Sequence, residues 1–218
     1  MPKLYCFGEV LWDLFPSGAK PGGAPMNVAI HGQNLGLESA VISAIGRDEY
    51  GQKLLDILNE RSVSTVLITK SEHPTGTVTV DTSNPSEVSY TIDEPSAWDY
   101  IGIPLIHWEH GDMLLHGSLA TRNNCSYESL KALRTQATTR VFDLNLRAPF
   151  IDSERILELL VGTEIVKVNE EEYELLAHWL QLDPNPEQGF DAMREHFGTQ
   201  ELIVTRGSQG ALWINSLG

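Results

Sequence analysis

An acid, a glycine pair and an amide follow one another at Asp13, Gly22-Gly23 and Asn27. Two adjacent glycines leave no Cβ between the backbone and a ligand. In the run Gly22-Gly23-Ala24-Pro25-Met26-Asn27-Val28-Ala29, Pro25 sets a φ suited to the first turn of a helix. Asn27 then sits just inside that turn, with a side chain that both donates and accepts. A carboxylate such as Asp13 accepts two hydroxyl hydrogen bonds. A glycine floor, a helix start, an amide and an acid together suit a small polyhydroxylated molecule. The plainer reading of the same residues is a tight turn before an ordinary helix.

Four further segments carry polar groups at places where strands should end. Asp143-Leu144-Asn145-Leu146-Arg147 closes an apolar run, and strand alternation would put Asp143, Asn145 and Arg147 on one face. Arg147 suits planar, bidentate recognition of phosphate oxygens. Asn169-Glu170-Glu171-Glu172 reads as a helix start, with Asn169 as N-cap and Glu172 completing a capping-box-like pair. Thr205-Arg206-Gly207-Ser208-Gln209-Gly210 has the glycines of a turn between two strands. His116 ends the run Met113–His116 and can line a crevice with Gly117-Ser118. Trp12 offers an apolar face to a ring or to the core, and His31, one turn after Asn27, reads as packing or solvated.

These residues need a scaffold, and the hydrophobic pattern supplies one. Strand-like runs at 3–10, 40–45, 65–69, 113–116, 139–144, 164–168, 201–205 and 211–214 alternate with helix-like runs at 25–35, 49–61, 126–136, 153–160, 170–180 and 191–197. Such alternation predicts an α/β fold, a parallel sheet with helices on both faces. Asp13 is read as the end of a strand running on from Tyr5, at the carboxyl edge where ligand crevices form. One region departs from the rhythm. Gly76–Asp81 and Val88–Asp93 alternate with period two around the turn formers Ser83–Glu87. They read as an antiparallel hairpin, either a separate small layer or packed on the edge of the main sheet.

The ordered set Trp12-Asp13, Gly22–Ala29, Gly46–Gly51, Asp143–Arg147, Asn169–Glu172 and Thr205–Gly210 resembles the PfkB/ribokinase family of ATP-dependent sugar kinases, most nearly its fructokinase branch. The resemblance covers essentially the whole chain. It implies a Rossmann-like, ribokinase-like sheet formed by 1–12, 23–70 and 100–218, with a small β lid formed by 13–22 and 71–99. It implies that Asp13, Gly22, Gly23 and Asn27, with His116 in the crevice, bind the sugar, fructose foremost. Asn145 and Arg147 would assist near the reacting hydroxyl and the phosphates. Asn169, Thr205 and Gly207 would meet ATP, and Glu172 would act on Mg2+ through water. An exposed lid hairpin would also offer an edge for a homodimer. The ribokinase branch is less similar, because Ala24-Pro25 stands where that branch has a Lys-Gly pair. The family's Gly-Ala-Gly-Asp segment, whose Asp is the general base and whose amides form the anion hole, does not occur in these 218 residues. The expectation for residues 1–218 alone is therefore weak or no phosphoryl transfer, and a non-catalytic sugar-binding or regulatory protein is the alternative.

Composition narrows the classes further. A net charge of −15 with a pI near 4.7 argues against nucleic acid or an anionic membrane surface as partner. Cys6 and Cys125 have neither the spacing of a metal site nor the number of a disulfide framework. Glu9 and Asp13 interrupt the first apolar run, so no signal peptide is read there, and no stretch is long enough to span a bilayer. These features point to a cytoplasmic protein.

Overall fold

The computed structural model describes residues 2–81 and 89–215. Its elements, in chain order, are β1 (Lys3–Phe7), β2 (Leu11–Phe15), β3 (Gly18–Gly22), α1 (Ala24–Asn34), β4 (Glu38–Gly46) and α2 (Glu49–Glu60). Next come β5 (Ile68–Ser71), β6 (Gly76–Asp81), β7 (Ser89–Ile92), β8 (Met113–His116), α3 (Asn124–Arg134) and β9 (Thr139–Asp143). The remainder is α4 (Ser153–Leu160), β10 (Ile165–Asn169), α5 (Glu170–Leu180), α6 (Pro186–Phe197), β11 (Glu201–Thr205) and β12 (Ala211–Asn215). The expected turn at Ser83–Glu87, and Val88 after it, lie outside the described residues.

Eight strands form the main sheet in the order β12-β11-β10-β9-β8-β1-β4-β5. Every pairing in it is parallel except β11 with β12. Both faces are covered, as a parallel sheet requires. Within β1 the side chains of Tyr5 and Phe7 enter one hydrophobic cluster and those of Leu4 and Cys6 the other. Leu114 and Leu115 of β8 divide in the same way. The helices start where short polar side chains satisfy orphan amides: Asp48 before α2, Asn123 before α3, Asp152 before α4, Asn169 before α5 and Asn185 before α6. Only α1 among these helices begins without a side-chain bond from its own N-cap, because that residue is Gly23.

The continuous strand expected from Tyr5 to Asp13 is in fact two strands in two sheets. Gly8 has φ 142°, a conformation L side chains rarely adopt, and it ends β1. Its carbonyl accepts a 2.6 Å bond from Ser43 Oγ. The chain then leaves the main sheet, and β2 joins a second, four-stranded sheet of order β3-β2-β6-β7. Here β2 pairs antiparallel with β3 and parallel with β6, while β6 and β7 form the expected antiparallel hairpin. The hairpin is therefore part of a separate small sheet, which begins at Leu11 rather than at residue 13. Leu11, Val78 and Val80 form its core, with Phe15 and Ile92 against them.

Two polar clusters tie the small sheet to the main one. In the first, Asp48 Oδ1 accepts from Gly51 N at 2.8 Å and Thr75 Oγ1 at 2.6 Å, and Oδ2 accepts from Thr75 N at 2.8 Å. Burial alone would raise the Asp48 pKa, but these bonds outweigh it and hold the carboxyl below its usual range. Trp12 Nε1 donates to the neighbouring Tyr50 carbonyl at 3.1 Å. In the second cluster, buried Arg122 pairs with Asp99 at 2.7 Å and donates to the Asp93 carbonyl at 2.8 Å. Its guanidinium lies 4.0 Å from the Trp98 ring centroid and 4.6 Å from that of Phe150.

Candidate functional site

A cavity of about 540 Å³ lies between the small sheet and the carboxyl ends of β1 and β9. Its polar lining comes from Glu9, Asp13, Asn27, Asn145 and Arg147, with Gly23 and Ala24 as floor. Its apolar wall comes mainly from the small sheet, through Leu11, Phe15, Val78 and Ile92. A second cavity, of about 350 Å³, includes Lys3 and Glu38, the first residues of β1 and β4. That is the amino edge of the sheet, opposite to where ligands of open α/β sheets bind.

Asp13 reaches the cavity from the middle of β2 rather than from the end of a main-sheet strand, which corrects the expectation. Its half-buried carboxyl is pushed up by burial, and Arg147 opposes that shift. Gly22 stands against it, since a Cβ at Gly22 would collide with Asp13 Oδ2. Gly23 has φ 110°, and a Cβ there would collide with the Glu9 carbonyl oxygen. Neither glycine therefore tolerates a side chain without movement. Asn27 is exposed to the cavity one turn into α1, its N–H bonded to the Gly23 carbonyl at 3.0 Å.

The expected alternation through Asp143, Asn145 and Arg147 fails, because β9 ends at Asp143 and Asn145 has φ 43°. Asn is one of the few residues that enters this left-handed region readily. The turn sends Asn145 and Arg147 into the cavity and leaves Asp143 paired with Lys167 at 2.9 Å. Glu172 lies behind this turn. Its Oε1 accepts from Leu146 N at 2.8 Å and its Oε2 from Asn169 N at 2.8 Å, while Asn169 Oδ1 accepts from Glu172 N at 2.8 Å. The capping box thus also holds the loop that presents Asn145. Asn169 and Thr205 are register partners at the carboxyl ends of β10 and β11, and Gly207 follows in the turn to β12.

His116 does not line this cavity. It is fully buried at the end of β8, beside Phe142 at 4.6 Å. Arg134 Nη1 donates to its Nε2 at 2.7 Å, so the imidazole is neutral with its proton on Nδ1, 3.3 Å from the Gly117 carbonyl. Burial, then the Arg134 charge, holds its pKa well below the usual value. The same arginine donates to the Leu159 and Val161 carbonyls at the end of α4. Trp12 packs beside Tyr50 in the core, and His31 is exposed.

Sequence reasoning passed over Glu9. It is 2% exposed, yet it borders the cavity. Oε1 accepts from Ala24 N at 3.1 Å, and Oε2 is buried without a hydrogen-bonding partner among the described residues. Burial pushes the carboxyl up to about 7, against the pull of its own N–H, of Ala24 N–H and of Arg147; Asp143 adds to the rise. An acid inside the apolar run Tyr5–Trp12 was the available signal.

This layout, a mostly parallel sheet with a four-stranded sheet over its carboxyl edge and a Gly-Gly floor between, is that of the ribokinase-like sugar kinases. A sequence profile for "pfkB family carbohydrate kinase" matches residues 17–218, and the chain belongs to that family. Fructokinase from Escherichia coli is 29% identical over 227 residues, which cover 96% of this chain and 73% of that enzyme. Among solved structures, apo fructokinase from Vibrio cholerae O395 is similar with a TM-score of 0.85 at 27% identity, covering 100% of this chain and 79% of that one. The V. cholerae enzyme in its fructose, ADP and calcium ion bound form gives 0.82 at 28% identity, covering 100% and 75%. An uncharacterized sugar kinase, PH1459 from Pyrococcus horikoshii, in complex with ATP, gives 0.79 at 26%, covering 98% and 74%.

Proposed function

We propose that residues 1–218 bind a ketohexose, fructose foremost, in the cavity under the small sheet, and that this sheet is a lid over the sugar. The observation that supports it is convergence: Asp13, Gly23, Asn27, Asn145 and Arg147 come from separate segments to one cavity. The acid and the amides match hydroxyl groups, and the apolar lid strands exclude water. The reaction of the family is transfer of the ATP γ-phosphate to a primary sugar hydroxyl, which needs positioning and charge neutralisation more than covalent chemistry. On this reading Asp13 and Asn27 orient the sugar and Arg147 faces the phosphate side.

For ATP this reading points to the carboxyl ends of β10 and β11, where Asn169 and Thr205 are register partners and the exposed turn at Gly207 follows β11. A bound ATP would supply the phosphoryl group. Glu172 is buried and each of its carboxylate oxygens already accepts a backbone N–H, which disfavours direct coordination of Mg2+ and suits a role through water. No cluster of three or more metal-ligating side chains occurs among the described residues.

Without the Gly-Ala-Gly-Asp segment in residues 1–218, the general base and the anion-hole amides of the family have no counterpart there. Asp143 is a poor replacement, since Lys167 holds it outside the cavity lining. Turnover by these residues alone is expected to fall by the ~10²–10⁴-fold that a general base contributes, or further. No helix among the described residues is long and apolar enough to cross a membrane. The test is calorimetry with D-fructose on the native chain and Asp13→Ala, alongside ADP release with a sugar panel. Fructose binding that is lost in Asp13→Ala supports the site; equal affinities remove Asp13 from it. Robust ADP release by residues 1–218 would overturn the weak-transfer expectation.

A further inference from the structure

We propose that Glu9 is a positioning residue of the sugar site: its side chain, bonded to Ala24 N–H, holds the Gly22-Gly23 floor and the start of α1 in place relative to Asp13. This rests on the reading of the cavity as a sugar site. The first four N–H groups of a helix need partners from outside it. Gly23, the N-cap of α1, has no side chain to offer one. Glu9 supplies it from the other side of the floor, with Oε1 3.1 Å from Ala24 N. The contact is also made by backbone, for Gly23 packs so tightly on the Glu9 carbonyl that a Cβ would collide with it.

Glu9 is itself held. The preceding Gly8 donates its N–H to the Ile42 carbonyl at 3.1 Å and accepts from Ser43 Oγ at 2.6 Å, both on β4. Glu9 therefore sits between β1, which ends at Phe7, and β2, which carries Asp13. The Gly8-Glu9 pair thus joins the main sheet, through the Gly8 backbone, to the floor, through the Glu9 side chain and carbonyl, just ahead of the strand bearing the acid. A buried carboxylate oxygen without a donor is costly, and Oε2 is in that state. The groups that act on Glu9 across the cavity, Arg147 and Asp143, pull its ionisation in opposite directions. What Glu9 contributes on this account is the acceptor Oε1 in a fixed place rather than a charge. A neutral amide of the same shape should do the same work, and an apolar side chain should not.

The experiment compares the native chain with Glu9→Gln, Glu9→Leu and Asp13→Ala. D-Fructose affinity is measured by calorimetry, and exchange of the Ala24 amide by NMR. Losing one acceptor for a helix-terminal N–H is worth about tenfold in affinity or in amide protection. Glu9→Gln is expected to stay within about threefold of the native chain in both readouts. Glu9→Leu is expected to lose about tenfold or more in both, with amides of β8 and β9 still protected. Native-like binding and Ala24 protection in Glu9→Leu would overturn the proposal, as would a loss in Glu9→Gln as large as in Glu9→Leu. If Asp13→Ala also binds as the native chain does, the sugar reading fails, and Ala24 exchange alone then decides whether Glu9 holds the floor.

Discussion

Replacing Glu9 by Gln should change how stability depends on pH, because the native fold prefers this carboxyl neutral. Its pKa moves from 4.5 to about 7 on folding, chiefly through burial. An acid whose pKa is raised in the native state contributes fully below its unfolded value, and that contribution is lost as pH rises through the native one. The window therefore runs from about pH 4.5 to about pH 7. At about 1.4 kcal/mol for each tenfold change in proton concentration, the full displacement is an upper bound of about 3 kcal/mol. Relaxation and water entering a cavity-lining site reduce this, so about 1–3 kcal/mol is expected. The assay is urea unfolding of the native chain and Glu9→Gln at several pH values from 5 to 8. The variant should gain on the native chain as pH rises, with most of the change below about pH 7 and a level difference above it. The opposing effects of Arg147 and Asp143 on the Glu9 carboxyl are already contained in its native value. A flat difference across the range would refute the reasoning, since it would mean the carboxyl ionises as easily in the fold as outside it.

His116 should act on the acid side: its native pKa is depressed, so its contribution is present above the unfolded value near 6.5 and lost as pH falls below it. The stability difference between the native chain and His116→Gln, measured by unfolding at pH 5 and 7, should shift against the native chain at pH 5. Gly23→Ala combines a φ of 110° with a collision against the Glu9 carbonyl, and should cost about 1–3 kcal/mol and the sugar affinity together. An unchanged melting temperature with unchanged fructose binding would argue against the floor. Asp48→Ala removes three bonds, two of them to Thr75 just ahead of β6, so amides of Gly76–Asp81 should exchange faster while those of Met113–His116 do not. Equal exchange would show that the small sheet is held elsewhere.

Much of the scaffold was legible because its signals are local. The expected runs 113–116, 153–160, 170–180 and 201–205 coincide with β8, α4, α5 and β11. Alternation, capping residues and turn glycines decide such segments within a few positions. What escaped depends on partners far along the chain. The break at Gly8 is made by a change of sheet, and the run Tyr5–Asp13 reads as one strand until β6 is seen to claim its second half. Asn145 looked like one more alternating residue, but the loop it belongs to is held by Glu172 from α5. His116 looked like a crevice residue because nothing nearby in sequence announces Arg134. The convergence of Asp13, Gly23, Asn27 and Arg147 was visible in outline. Glu9 was not, since burial of an acid is a property of the packed molecule.

The parallel pairing of β2 with β6 has a consequence for the order in which this chain assembles. The two strands meet from Leu11↔Gly76 to Leu14↔Thr79, and α1, β4, α2 and β5 all lie between them in sequence. Closing so long a loop is entropically unfavourable until the intervening elements have packed. The β2–β3 hairpin is made before β6 and β7, so Leu11 and Phe15 at first lack the Val78 and Ile92 they later pack against. The pairing of β2 with β6 is therefore expected to follow the packing of β4 and β5 on β1. The cavity under the small sheet is completed only when β2 is claimed by β6, a strand much later in the chain.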